Sequence, residues 1–199
     1  AGMDCYVGVD LAATSDLTAV AYLVVQDGTY YFKTHYYLPE SALKDKADKE
    51  LYKYWKQQSY LTVTSGNVTD YDYITADMLR YADVVNIQSV GYDKYNATQW
   101  AIDSTEQGLP LEEYPQTLGN FNMPTRELER LILSGKAVID NNEINRYCFR
   151  NVTLKSDYNG NVKPNKAVDK KKIDGTIAMI QALGMYLRNP RFSNEIITI

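Results

Sequence analysis

Near its beginning the chain reads Tyr6-Val7-Gly8-Val9-Asp10-Leu11-Ala12-Ala13-Thr14-Ser15-Asp16, and a second apolar stretch follows from Leu17 to Val25. Apolar residues lead up to one aspartate, and the small and polar residues after it predict a turn into a second strand. The Asp10 carboxylate would stand at the end of a buried strand, where it needs a cation, a hydrogen-bond donor or water. We interpret Asp10 as the first ligand of a divalent-metal site.

Length and composition indicate a single globular domain. The 199 residues can enclose a substantial core, and the hydrophobic fraction of 45% and charged fraction of 23% are ordinary for a soluble protein. No apolar run reaches the roughly 18–20 residues of a membrane span, and no secretory signal opens the chain. Ala1 and Gly2, ahead of Met3, are expected to be a cloning remnant on an excised fragment, and residues 190–199 a C-terminal tail.

The cysteine content and the net charge exclude several classes of protein. Two isolated cysteines, Cys5 and Cys148, form neither a zinc cluster nor a disulfide framework, which favours a reducing compartment. The net charge of -4 argues against a protein that coats nucleic acid by bulk electrostatics. One local run of basic residues could still meet DNA phosphates; it comprises Lys163, Lys166, Lys170, Lys171 and Lys172.

The order of predicted elements indicates the fold class. Three strand-like stretches come first, with Asp27-Gly28 as a hairpin turn between the second and third. A helix is expected from about Ala42 to Gln58, and strands and helices then alternate, which favours parallel pairing. We predict one α/β domain over residues 1–199: a mixed sheet, antiparallel in its first three strands and then parallel, with helices on both faces.

The second half of the chain carries further local signals. Asn96 is expected to cap a helix, and a helix is expected to begin near Pro124 and to end at Gly135. A hairpin is predicted around Tyr158-Asn159-Gly160-Asn161. The last helix is predicted from about Ile173 to Leu187.

Three aspartates recur in equivalent settings. Asp10 ends the first strand, Asp93 follows the predicted strand 86–92, and Asp174 opens the last helix. Carboxylate oxygens are the ligands that Mg²⁺ and Mn²⁺ prefer, and two such ions about 4 Å apart can activate water for phosphodiester hydrolysis. We expect Asp10 to bridge two ions, and Asp93 and Asp174 to hold one each. The alternative is structural: Asp10 and Asp16 could cap a turn, and the other two could favour helix N-termini.

Three motifs resemble one known family. Gly8-Val9-Asp10-Leu11-Ala12 with Thr14 to Ala19 resembles the opening of the nuclease domain of tailed-phage terminase large subunits of the HK97-like type. Gly91-Tyr92-Asp93 with Asn96-Ala97 is similar to the second acidic motif of the family. The stretches 159–166 and 172–178, around Lys172 and Asp174, resemble its C-terminal signature. The motifs follow the family order over nearly the whole chain.

The resemblance implies an RNase H-like fold and a Mg²⁺- or Mn²⁺-dependent endonuclease. Such an enzyme hydrolyses double-stranded DNA to cut genome concatemers during packaging, in the cytoplasm of the infected bacterium. It implies metal ligands at Asp10, Asp93 and Asp174, a joining or supporting role for Asp16, and a phosphate-contacting or acid-tuning role for Lys172. The implied partners are double-stranded DNA, a packaging ATPase domain, a small terminase subunit and a portal, with no membrane.

One departure from the full-length family pattern concerns ATP. A packaging ATPase needs a Gly-rich phosphate loop that ends in Gly-Lys-Ser/Thr. Ser134-Gly135-Lys136-Ala137 lacks both the upstream glycine and the following hydroxyl, and is better interpreted as a helix C-terminus. This chain is therefore expected to hydrolyse no ATP by itself.

Other interpretations stay open from the sequence. An actin-like or sugar-kinase-like ATPase half opens with a similar strand, but a nucleotide site in those folds needs two such domains. A Holliday-junction resolvase or another RNase H-like nuclease shares the carboxylate pattern, and a non-catalytic assembly module would use the acids structurally. His35, the one histidine, is expected to be structural, because no nucleophile arrangement can be built around it.

Overall fold

The computed structural model describes residues 2–12, 16–45, 48–95, 97–168 and 171–188. The middle of the first motif, residues 13–15, lies outside them. So do the predicted helix cap Asn96, the predicted DNA contact Lys170 and the predicted tail 190–199.

The described residues form strands and helices that alternate after the first hairpins. The strands are β1 Asp4–Asp10, β2 Thr18–Gln26, β3 Thr29–Pro39, β4 Thr62–Thr64, β5 Asn86–Tyr92, β6 Leu111–Glu113, β7 Ala137–Ile139, β8 Val152–Ser156 and β9 Val162–Lys166. The helices are α1 Ala42–Asp45, α2 Lys49–Gln57, α3 Tyr71–Ala82, α4 Thr98–Glu106, α5 Leu118–Leu133, α6 Glu143–Asn151 and α7 Asp174–Arg188. None of these helices combines the length and the apolar composition of a membrane span.

The main sheet is mixed, as predicted. Its order is β4-β3-β2-β1-β5-β6, with β7 also paired to β3. The first three strands are antiparallel, while β5 pairs parallel to β1 and β6 parallel to β5. The turn between β2 and β3 has positive φ at Asp27 (50°) and Gly28 (72°), the conformation that a tight hairpin needs. Two short strands, β4 and β7, pair parallel to β3 at this edge of the sheet.

Helices cover both faces of this sheet, which confirms the predicted layers. One core lies against α7 and α5 and includes Tyr6, Leu23, Phe32, Leu128 and Ile180. The opposite core lies against α3 and α4 and includes Val7, Tyr22, Ile74, Met78 and Trp100. Because successive residues of β1 point to opposite faces, Tyr6 and Val7 contribute to different cores.

The predicted helix from Ala42 to Gln58 is wrong in its continuity. The structure has a short α1 that ends at Asp45 and a separate α2 that begins at Lys49. Asp48, the residue before α2, has the non-helical angles φ -94° and ψ 14°. The sequence between Leu43 and Leu51 has no large apolar side chain whose burial would favour a continuous helix.

The start of α5 also differs from the prediction. The helix begins at Leu118, so Pro124 lies inside it rather than near its start. A proline inside a helix leaves the carbonyl four residues earlier without its usual donor. Here the Tyr114 hydroxyl donates to the Asn120 carbonyl oxygen at 2.7 Å, which supplies the missing hydrogen bond.

The strands β8 and β9 form a separate two-stranded hairpin, as predicted around residues 158–161. This hairpin is attached to α5: the Val162 backbone N–H donates to Asn122 Oδ1 at 2.9 Å, and the Arg126 guanidinium donates to the Gly160 carbonyl oxygen. The hairpin thereby lies beside the N-terminal half of α5.

Candidate metal centre

Two of the predicted acids leave adjacent parallel strands side by side. Val9 on β1 is paired with Tyr92 on β5, so the next residues along, Asp10 and Asp93, stand at the same edge of the sheet. The carboxyl ends of parallel strands are where α/β sheets place their sites. Hydrophobic patterning alone predicted both strand ends correctly.

The third acid reaches this edge through α7. A methyl group added to Gly8 would lie 2.1 Å from the Ala178 carbonyl oxygen, so α7 packs directly on the β1 backbone. A methyl group added to Gly175 would lie 1.8 Å from the Tyr36 hydroxyl oxygen, so the start of the helix is equally close to β3. Asp174, the first residue of α7, therefore lies near the end of β1.

The electrostatics of Asp10 reflect this convergence. Burial raises the pKa of Asp10 well above its usual range, and the negative charges of Asp174 and Asp93 raise it further. A hydrogen bond from Gln116 and the positive charge of Lys166 act in the opposite direction. The acids predicted from sequence are thus electrostatic neighbours.

Gln116 is the site residue that sequence reasoning missed. Its Nε2 donates to Asp10 Oδ1 at 2.9 Å, and its backbone N–H donates to Asp93 Oδ2 at 2.8 Å. It lies in the loop after β6, at the same edge where Asp10 and Asp93 end their strands. Its place just after a parallel strand is the one sequence signal for this role, since the carboxyl ends of such strands share one edge of the sheet.

Asp174 and Asp16 form the other side of the cluster. Burial raises the pKa of Asp174, the charge of Asp16 adds to the effect, and the charges of Lys172 and Lys166 oppose it. The Asp174 Oδ2 atom is buried and has no hydrogen-bond partner among the described residues. Asp16 forms an ion pair with Lys172 and accepts a hydrogen bond from the Leu17 backbone N–H at 2.9 Å.

These residues suit a hard divalent cation. The donors are carboxylate oxygens, their negative charges oppose each other, and a buried Asp174 oxygen lacks a partner. In the described parts of the chain no three Asp, Glu, His or Cys side chains form a ready-made cation site. The Asp93 carboxylate is turned towards two backbone N–H groups, those of Gln116 and Tyr95. A cation between these carboxylates would relieve their mutual repulsion and let them come closer, so we regard this as a cluster that an ion would complete.

The predicted basic residues divide into two groups. Lys166 and Lys172 lie close enough to Asp174 to lower its pKa, so they border the acidic cluster itself. The Lys163 ammonium donates to the Gln116 carbonyl oxygen at 3.4 Å, and Lys171 lies over the Tyr147 ring, 5.7 Å from its centroid. Of the four described lysines in the predicted run, two therefore lie beside the acidic cluster, one contacts the loop after β6 and one lies over a tyrosine of α6.

The remaining titratable candidates have structural partners. His35 Nδ1 is 3.1 Å from Asp77 Oδ2, on the opposite face of the sheet from α7. Cys5 and Cys148 are both buried and free, and burial raises the pKa of each thiol to about 12. A thiol in that state is a poor nucleophile.

Comparison with known proteins agrees with the expected family. The family profile described as "Terminase large subunit, endonuclease domain" matches residues 1–189. The terminase large subunit of Enterobacteria phage HK97 is 28% identical over 184 residues, covering 90% of this chain and 36% of that protein. Protein YmfN of Escherichia coli (strain K12) is 31% identical over 216 residues, covering 98% of this chain and 46% of that protein. The chain therefore spans less than half the length of these relatives.

Solved structures agree on the fold. The crystal structure of the HK97 bacteriophage large terminase superposes with a TM-score of 0.83 at 28% identity, over 92% of this chain and 40% of that chain. The large terminase nuclease of thermophilic phage G20c, solved with bound magnesium, has a TM-score of 0.59 at 13% identity, over 90% of this chain and 79% of that chain. The RNase H-like fold expected from the sequence is confirmed.

Proposed function

Because the chain belongs to the family of terminase large-subunit endonuclease domains, we propose that it is a divalent-metal-dependent endonuclease that cuts double-stranded DNA during viral genome packaging. The observation that supports this most is that Asp10 is an electrostatic neighbour of both Asp93 and Asp174, which come from two other elements, at one edge of the sheet. Water would be the nucleophile, and genome concatemers would be the substrate.

Asp10, Asp93 and Asp174 are the residues that would hold the metal, with Asp16 in support. Bound Mg²⁺ or Mn²⁺ would supply water activation and would stabilise the leaving oxygen of the phosphodiester. A related nuclease from phage G20c has been solved with magnesium and with cobalt, which is in keeping with a site that takes divalent ions.

Lysine side chains would bring the DNA backbone to the acids. Lys166 and Lys172 offset part of the negative charge of the cluster, so the phosphate of a substrate meets less repulsion. Lys163 on β9 and Lys171 ahead of α7 would extend this positive surface along the DNA. Contacts of this kind follow the phosphate backbone and carry little sequence preference.

The partners follow from the family and are part of the proposal. A packaging ATPase domain, a small terminase subunit and a portal would place this domain on DNA in the cytoplasm of the infected bacterium. Ser134, Gly135 and Lys136 lie at the C-terminal end of α5, where Gly135 has φ 68°, so this stretch of the described chain is no phosphate loop.

The test is plasmid digestion with Mg²⁺, Mn²⁺, Ca²⁺ or EDTA, using the wild-type chain beside Asp10→Asn and Asp174→Asn. We expect nicking and linearisation in Mg²⁺ or Mn²⁺, none in EDTA, and loss of cutting in both variants with melting temperatures within a few degrees. Asp103→Asn, at an exposed acid on α4, is the matched control and should cut normally.

Three results would contradict the proposal or part of it. Undiminished cutting by Asp174→Asn would remove that residue from the reaction. Absence of cutting by folded wild-type protein, with intact binding to a small terminase subunit or portal, would favour a non-catalytic assembly module. Preference for branched over linear DNA would point instead to a resolvase-like activity.

A further inference from the structure

We propose that Gln116 is a positioning residue for the metal centre, one that orients the Asp10 and Asp93 carboxylates together. This inference rests on the proposed function. Among the described residues Gln116 contacts both acids through different groups: its side-chain amide donates to Asp10 Oδ1 at 2.9 Å, and its backbone N–H donates to Asp93 Oδ2 at 2.8 Å. One residue thereby relates the orientation of two acids that lie on different strands.

The loop that carries Gln116 is itself held in place. The Tyr114 backbone N–H donates to the Tyr92 carbonyl oxygen at 2.6 Å, which ties the loop to the end of β5 just before Asp93. Thr117 caps α5 by accepting a hydrogen bond from the Asn120 backbone N–H. With both sides of the loop anchored, the Gln116 backbone has a defined position relative to Asp93, and its side chain carries that position across to Asp10.

The chemistry of a glutamine suits this role. Its amide is a neutral donor, so it can hold one carboxylate oxygen without neutralising the charge that a cation needs. A lysine at the same place would compete with the ion as a second cation. Partners that hydrogen-bond to ligating carboxylates fix their orientation, and losing such a partner typically weakens metal affinity about 10–100-fold.

The test compares two glutamines that each donate to an aspartate. Gln116→Met keeps the length of the side chain and removes its hydrogen bond to Asp10. Gln99→Met is the matched control, because Gln99 Nε2 donates to Asp103 Oδ1 at 2.7 Å on the exposed surface of α4. Mn²⁺ affinity is measured by calorimetric titration of the metal-free chain without DNA, and folding by melting temperature. We expect about 10-fold weaker Mn²⁺ binding for Gln116→Met and no change for Gln99→Met.

A second measurement uses the wild-type chain alone and requires no variant. In ¹⁵N NMR spectra of the wild-type chain, the side-chain amide signals of Gln116 should shift as Mg²⁺ is added, while those of Gln99 should not. If Gln116→Met fails to fold, this signal decides: no shift at saturating Mg²⁺ overturns the inference. A Gln116 side chain that only stabilised the loop, without contacting a metal-binding carboxylate, would give no such shift.

The outcomes separate this inference from the proposed function. Unchanged or tighter Mn²⁺ binding by folded Gln116→Met, in a chain whose wild type binds Mn²⁺ and cuts DNA, overturns only the role of Gln116. Failure of the wild type to bind divalent ions or to cut DNA overturns both.

Discussion

Gly8 on β1 lies so close to Ala178 on α7 that a methyl group on Gly8 would be 2.1 Å from the Ala178 carbonyl oxygen. Such a contact is possible only where the residue has no side chain. Asp10 comes two residues after Gly8, on the same face of β1, and Asp174 comes one helical turn before Ala178. The glycine contact therefore helps to bring the two acids close to each other.

Replacing Gly8 with alanine should push α7 away from the sheet. We expect a loss of about 1–3 kcal/mol in the free energy of unfolding, the usual cost of overpacking a core, together with weaker Mn²⁺ binding because Asp174 moves from Asp10. Urea unfolding and calorimetric titration measure the two effects.

Gly119→Ala is the control for that experiment. Gly119 lies on α5, which also packs on the sheet, but a methyl group added to Gly119 would have no neighbour within 4 Å. Alanine should leave stability unchanged or raise it by up to about 1 kcal/mol, because glycine is a poor helix former. A Gly8→Ala protein as stable as Gly119→Ala would mean that α7 does not rest on β1 as described.

The hydrogen bond from Tyr114 to Asn120 should depend on Pro124. Tyr114→Phe leaves the Asn120 carbonyl oxygen without a donor, at a cost of about 1–3 kcal/mol for an unsatisfied polar group. In a Pro124→Ala background the helix supplies its own N–H, so the same substitution should cost less. Urea unfolding of the two single variants and the double variant measures this coupling; strictly additive losses would show that the tyrosine acts by packing alone.

The Asp77 carboxylate should make the free energy of unfolding fall as the pH is lowered into the acid range. Hydrogen bonds from His35 foremost, then from Tyr37 and Arg80, hold the pKa of Asp77 below its ordinary value of 3.8. A carboxylate with a lowered pKa in the folded state stabilises above its unfolded pKa, and this contribution is lost as the pH falls towards the folded value.

Asp77→Asn should therefore lose about 1–3 kcal/mol at pH 7, the usual worth of hydrogen bonds to a charged group. Its stability should also fall less steeply than that of the wild type below about pH 4. Urea midpoints measured at several pH values give both quantities, and Asp72→Asn, at an exposed acid of the same helix, should follow the wild-type curve. Parallel curves for the wild type and Asp77→Asn would refute the assignment.

Lys163 and Lys171, which we propose extend the positive surface beside the acids, should make DNA binding depend on salt concentration. Each phosphate contact contributes about 0.9 to the slope of log affinity against log salt concentration. Reversing the charge of Lys163 and Lys171 should weaken binding to linear DNA and flatten this slope by about 2, measured by fluorescence anisotropy in EDTA. The same reversal at Lys53 and Lys56, on α2, should change little. An unchanged slope would mean that Lys163 and Lys171 are ordinary surface residues.

Features that depend on neighbouring residues could be predicted from the sequence, whereas features that depend on distant contacts could not. The strand ends at Asp10 and Asp93 and the helix start at Asp174 come from local patterns of apolar residues, and these predictions are confirmed. The early start of α5 was missed, because the donor that makes Pro124 tolerable comes from Tyr114, outside the helix.

The sequence by itself determined the alternation of strands and helices, and which acids stand at element ends, because hydrophobic periodicity and turn residues act over a few neighbours. Only the tertiary structure decided that Gln116 would reach both Asp10 and Asp93, that Gly8 would let α7 lie on β1, and that Lys172 would pair with Asp16. Those contacts join residues far apart in the chain. They depend on which surfaces pack together, and no local pattern of residues carries that information.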